Sequence, residues 1–251
     1  LIPPLRELTA LATGEGLIHQ VRDPFCNQDG EIVDAGVSDK RLFCDVSEFA
    51  GVLAQARREA ATISTVLRDA FDGVKLTIPT KTSFNEATDS HIVVLGSVPE
   101  TEIVKTLTST DITNGLANRF PMFYSVRTKS VPFPSRTDDG LMESFASHIV
   151  KAIQHAREVG EVRMTPDARD MWRILYAQLE DRAHPPAVAA LLARQSTYTL
   201  IFSALLTLLK HPLVMRGEMR LPWLEGVRQL DLLLRGPRPQ AGLRGIDLLL
   251  E

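Results

Sequence analysis

Arg119 lies in TSTDITNGLANRFPMF (108–123), where a short polar helix with an Asn-Gly pair gives way to an apolar, strand-like run. An arginine there either complements the dipole at a helix C-terminus or is held out to meet a phosphate, which its planar fork grips through two parallel hydrogen bonds. GEGLIHQVRD (14–23) sets Glu15 between two glycines, a pattern that predicts a tight turn with its carboxylate exposed. Alone, it is equally an ordinary turn glutamate. DKRLFCDVSEF (39–49) puts Asp45 and Glu48 just beyond a short apolar run, where a carboxylate could hold a Mg²⁺-bound water. Ser97 stands at the tip of the strand-like HIVVLGSV (91–98), where a hydroxyl can sense a phosphate or cap the next helix. With Glu100 three residues on, the cap is the preferred reading.

Other chemistries find less support. The two cysteines, Cys26 and Cys44, form no CxxC, and the six histidines form neither HxxxH nor HExxH, so disulfide scaffolds and histidine-built metal sites are disfavoured. A reducing, cytoplasmic setting is the default expectation. Net charge is −3 over 251 residues, so contact with nucleic acid needs a local basic stripe rather than bulk charge. STYTLIFSALLTLL (196–209) is too short for a bilayer and reads as a buried helix, so no membrane is expected.

The elements that must position these residues follow from periodicity. RLFC (41–44), VKLTIP (74–79), HIVVLG (91–96) and PMFYSV (121–126) read as strands, HIVVLG as one covered on both faces. Apolar residues at three- and four-residue spacing from Phe49 to Phe71 predict one long amphipathic helix, stopped by Gly73. Ser97, Pro99 and Glu100 open a helix through TEIVKTL. RTKSVPFPSRTDDG (127–140) reads as a linker. Two helices follow it, the second with Thr165 as N-cap and Pro166 at its first position. The alternation predicts an α/β core with parallel pairing.

Taken in order, RLFCDVSEFAGVL, REAATISTVLRDAFDG, HIVVLGSVPETEI and NGLANRF, with GEGLI ahead of them, resemble a known module. It is the RecA/helicase-like P-loop ATPase of phage- and plasmid-type replication proteins, often fused behind a primase-polymerase domain. The resemblance spans roughly residues 10 to 185 and rests on the linked order of five motifs. It implies a partial RecA-like P-loop core with a parallel sheet over 1–130 and a helical C-terminal region over 131–194, and the 195–251 tail is atypical of it. It implies ATP and Mg²⁺ as cofactors, single-stranded DNA as a partner, and a homo-oligomeric ring. Glu15 would orient the attacking water. Asp45 or Glu48 would be the Walker B acid on Mg²⁺. Ser97 would occupy the sensor position. Arg119 would be the arginine finger reaching a neighbouring subunit's ATP, a role that accelerates turnover by about 10³–10⁵ where present.

Two departures qualify that expectation. No glycine is followed by lysine anywhere in the chain, so it contains no Walker A loop, and the expectation is a fragment that begins just after one. Leucine supplies 16 of the residues from 195 to 251, set among arginine, glycine and proline, as an out-of-frame reading of a GC-rich gene would produce. The alternative is a non-catalytic oligomerisation or partner-docking module derived from such an ATPase. A small-molecule α/β enzyme finds no supporting motif.

Overall fold

A computed structural model of the chain describes residues 4–58, 60–79, 84–159, 162–181 and 183–210. Most of the 195–251 tail therefore lies outside the described residues. The chain divides into two compact units, one ending at Phe120 and the other starting at Pro121. That division falls upstream of the Pro/Ser/Asp-rich 127–140 stretch.

The first unit is mixed α/β. In chain order it runs β1 (Arg6–Leu8), α1 (Gly14–Gln20), β2 (Phe25–Cys26), β3 (Ile32–Asp34), β4 (Arg41–Val46), α2 (Phe49–Ala56) and α3 (Ile63–Asp72). It continues through β5 (Leu76–Pro79), β6 (Phe84–Ala87), β7 (His91–Gly96), α4 (Glu100–Thr106), α5 (Ser109–Thr113) and a 3-10 turn, Ala117–Arg119. Among the described residues the main sheet has the order β1-β4-β7 and is wholly parallel, with Arg41 opposite His91 and Val46 opposite Gly96. Two antiparallel hairpins, β2-β3 and β5-β6, stand apart from it.

Alternation explains β4. Leu42, Cys44 and Val46 are buried on one face, while Asp45 is exposed on the other. β7 departs from expectation, because Val93 is 47% and Leu95 55% exposed rather than covered. With β4 as its one neighbour among the described residues, β7 has only Ile92 and Val94 half-buried, on the face alternating with the exposed Val93 and Leu95, and α3 is a helix that packs against it. The core is made by Leu17 and Ile18 of α1 and Val21 just after it, against Ile63, Val66 and Leu67 of α3, with Leu76 fully covered. Each such side chain contributes about 1.5–3 kcal/mol on burial.

The single helix expected from Phe49 to Phe71 is two. α2 ends at Ala56, Ala60 takes a left-handed φ of 60°, and α3 starts at Ile63. The break lets α2 pack on α4 while α3 packs on α1, which one straight rod could not do. Gly73 does end α3, in the left-handed conformation at φ 68°. The strand expected at 121–126 does not form. Pro121 has no N–H to donate, the segment pairs with no described strand, and residues 121–138 are exposed without regular structure.

The second unit contains α6 (Asp139–Val159), α7 (Pro166–Glu180), α8 (Pro186–Leu192) and α9 (Gln195–Lys210). α7 starts as expected: Pro166 is its first residue and the Thr165 hydroxyl accepts from the Ala168 amide at 3.3 Å. Ala168, Leu175 and Leu179 form a small core with Trp172 and Leu200. On α9 the buried Thr199, Ser203 and Thr207 hydroxyls donate to carbonyls four residues back, which satisfies them without outside partners. By length and composition alone, Pro186–Leu209 is apolar enough to cross a membrane, but the helix is interrupted at Ala193–Arg194.

Carboxylates around the β2-β3 hairpin make the first unit acid-sensitive. Asp34 meets Arg22 at 2.5 and 3.0 Å and accepts the Gly36 amide, which together hold its carboxyl down to about 2. The Arg41 guanidinium and amide hold Asp39 well below the usual range. Burial pushes Asp23 up, but Lys40 at 2.6 Å and Thr88 outweigh it and lower it. Groups with depressed folded values stabilise fully above their unfolded values near about 4, and that stability is lost as pH falls through the folded values. Thermal melts should therefore be level down to about pH 5 and fall steeply toward about pH 2. Asp34→Asn should lower the plateau and shallow the fall.

Candidate functional site

Because β1, β4 and β7 are parallel, the segments that follow them leave the sheet at one edge, the carboxyl edge where open α/β sheets bind ligands. Thr13, Gly14 and Glu15 follow β1, Asp45 and Glu48 lie at and beyond the end of β4, and Ser97 follows β7.

Glu15 is not in a tight turn. It sits in the first turn of α1, capped by the Thr13 hydroxyl, which accepts from the Gly16 amide at 3.0 Å. Its carboxylate accepts from the Thr62 hydroxyl at 2.8 Å, so it is half-buried and engaged rather than exposed. The same Thr62 oxygen accepts the Gly14 amide at 3.2 Å. Gly14 is glycine for a packing reason. A Cβ there would lie 2.7 Å from Val66 Cγ2 and 2.9 Å from the Thr62 carbonyl carbon.

Asp45 and Glu48 are exposed. Asp45 is within β4 rather than beyond it, and Glu48 is the N-cap residue of α2 without a side-chain capping bond. Ser97 is exposed and does not cap α4, whose N-cap is Pro99 with no side-chain bond. Its backbone joins two strand ends instead: the amide donates to the Val46 carbonyl at 3.0 Å, and its carbonyl accepts from the Phe49 amide at 3.0 Å. The real capping box is four residues, Thr108 to Asp111, at the start of α5, where Arg57 also reaches Asp111 at 3.5 Å.

Arg119 is folded inward. Its Nη1 donates to the Gly115 carbonyl at 2.7 Å, its Nη2 pairs with Asp72, and its guanidinium lies 5.8 Å from the centre of the Phe71 ring. The side chain is 12% exposed. Gly115, at φ 81°, gives it that room, since a Cβ there would come within 2.8 Å of Nη1. The next residue, Phe120, stacks tilted on Phe49 at 5.0 Å, which ties the 3-10 turn to the start of α2.

The structure thus brings Asp45, Glu48 and Ser97 to one edge, while Thr62 holds Glu15 and Asp72 holds Arg119. Thr62 and Asp72 were not anticipated. Each lies 47 residues from its partner, so no local spacing could reveal it. Among the described residues no three His, Cys, Asp or Glu side chains gather as a metal site. A phosphate cradle also needs a glycine-rich loop with its lysine, which the 251 residues lack, so the residues present do not fit a bound nucleotide.

The two thiols should differ in reactivity. Burial pushes Cys44 up to about 11, while Cys26 is exposed. A disulfide reagent at pH 8 should label Cys26 within minutes and reach Cys44 only after denaturation. Fast reaction of both would show that β4 opens. No family model matches this chain, and no curated protein matches it.

Proposed function

We propose that this chain is part of an ATP-dependent DNA-replication motor of phage or plasmid type, a RecA-like core in which its first unit carries the acid-bearing edge. One observation carries the reading: three parallel strands in the order β1-β4-β7, with Glu15 after the first, Asp45 as the penultimate residue of the second and Ser97 directly after the third. In that role Asp45 would hold a Mg²⁺-bound water, Ser97 would contact phosphate, and the working assembly would be an oligomeric ring on single-stranded DNA. These residues supply no phosphate grip themselves, so the chain alone neither binds nor hydrolyses ATP. Titrating the chain with Mg-ATP in a calorimeter should give no binding heat, and a micromolar dissociation constant would overturn that expectation. The motor reading itself is tested at the gene. An in-frame GxxxxGK[ST] upstream, in a product whose DNA-stimulated ATPase activity is abolished by Asp45→Asn, is the expected finding.

The inward-folded Arg119 favours a second reading, an oligomerisation or docking module derived from such an ATPase. It predicts no phosphate loop in the gene's product and no ATPase activity.

A further inference from the structure

We infer that α6 is a self-association surface, on which a second copy of this chain docks antiparallel about a twofold axis near His148. The inference concerns the second unit alone and does not depend on the nucleotide reading.

α6 packs against α9, with Ala152 buried and His148 Nε2 lying 2.5 Å from the Leu209 carbonyl. Its remaining apolar residues are left open. Met142 is 55%, Phe145 58%, Ile149 48% and Ile153 36% exposed. At three- and four-residue spacing these four make one stripe along a 21-residue helix. A contiguous apolar stripe of this length marks an interaction surface rather than scattered exposure.

Charge selects the occupant. The helix opens acidic, with Asp139 and Glu143, and its second half carries Lys151 and Arg157 with one acid, Glu158, which lies about 100° around the helix from Arg157. Asp139 and Arg157 are about five full turns apart at 3.6 residues per turn, so both lie along the same flank of the stripe. In an antiparallel pair, like flanks face each other, and a twofold axis midway between these residues sets Asp139 against Arg157 of the second copy, twice over. A parallel pair brings unlike flanks together and so forms neither Asp139–Arg157 contact. A lipid surface would favour a basic rim at both ends of the helix, whereas this one begins acidic. Asp139 already meets Arg136 at 3.2 Å, but both are widely exposed, and such a surface pair exchanges readily for another. The surface is therefore complementary to itself.

Sedimentation equilibrium of the whole chain from about 1 to 100 µM tests this, covering the range expected of a small interface. The apparent mass should rise from 27.8 kDa toward twice that value. Phe145→Glu should hold it at the monomer. D139R and R157D should each weaken association about tenfold, since each reversal turns two pairs repulsive. D139R/R157D together should restore it to within about threefold of the parent, because the pairs are re-formed with signs exchanged. All three sites are exposed, so circular dichroism should be unchanged, and a variant that loses helicity is replaced by Phe145→Gln or Ile149→Gln. A chain that stays monomeric to 100 µM overturns the proposal. So does association that ignores Phe145→Glu, as it would if it ran through the leucine-rich residues beyond 210. A double reversal as weak as the singles overturns the antiparallel geometry.

Discussion

Gly14→Ala should lower the stability of the first unit by about 2–3 kcal/mol, at the upper end of what overpacking costs. The added methyl would stand 2.7 Å from Val66 Cγ2, 2.8 Å from Thr62 Oγ1 and 2.9 Å from the Thr62 carbonyl carbon. A flexible side chain could swing away, but Thr62 leads into α3, so relief requires that α1 and α3 separate. Their contact buries Leu17, Ile18, Val66 and Leu67, and separation would reopen that core. It would also pull Thr62 from the Glu15 carboxylate. Gly16→Ala is the internal control. Its Cβ would meet only Thr13 Oγ1, at 3.1 Å, and alanine is the better helix former by up to about 1 kcal/mol. Urea denaturation of both variants should therefore separate them widely. If Gly14→Ala unfolds at the parental midpoint, the close approach of the two helices is wrong.

That contrast shows how far the sequence can be read. GEG reads as a tight turn with an exposed glutamate, whereas the structure puts it in the first turn of α1, with Gly14 at a close helix–helix contact and Glu15 held by Thr62. Strands with strong apolar runs were legible: β7 has the expected bounds, and β4 contains the expected run with two further residues. So were the stops and starts that act through one residue's own geometry, Gly73 ending α3 and Thr165 with Pro166 opening α7. The break between α2 and α3 was not legible, because apolar spacing continues across it and alanine gives no signal for the left-handed conformation that Ala60 adopts. PMFYSV has strand composition and no strand neighbour, and pairing is what makes a strand. At the site, the residue types at the sheet edge were legible from order along the chain. Their partners were not: Thr62 and Asp72 are joined to Glu15 and Arg119 only by tertiary folding.

Arg119→Ala should cost about 2 kcal/mol of stability, and this revises the expectation from sequence of an exposed arginine whose loss the fold would not notice. The guanidinium is tied at three points: to Asp72, to the Gly115 carbonyl at 2.7 Å, and over the Phe71 ring at 5.8 Å. With the Arg119 side chain 12% and the Asp72 side chain 35% exposed, the ion pair is half-sheltered and contributes up to about 1 kcal/mol, and a cation over a ring adds about 0.5–1 kcal/mol. Arg119→Lys should recover part of the loss, since a point charge can reach Asp72 but cannot serve the carbonyl and the carboxylate as a rigid fork does. A double-mutant cycle with Asp72→Asn should give a coupling of about 1–2 kcal/mol, whereas an arginine extended into solvent would give none. The same cycle bears on mechanism. For Arg119 to serve a neighbour's phosphate it must first leave Asp72, Gly115 and Phe71, and the energy of those contacts would be deducted from any gain at the transition state. In a catalytically complete version, Asp72→Asn should therefore raise turnover if the arginine acts in trans, because it frees the fork. It should lower stability without raising turnover if Arg119 is only the brace between α3 and the 3-10 turn. Zero coupling in the cycle would remove the brace altogether and return Arg119 to the solvent-facing role read from its sequence.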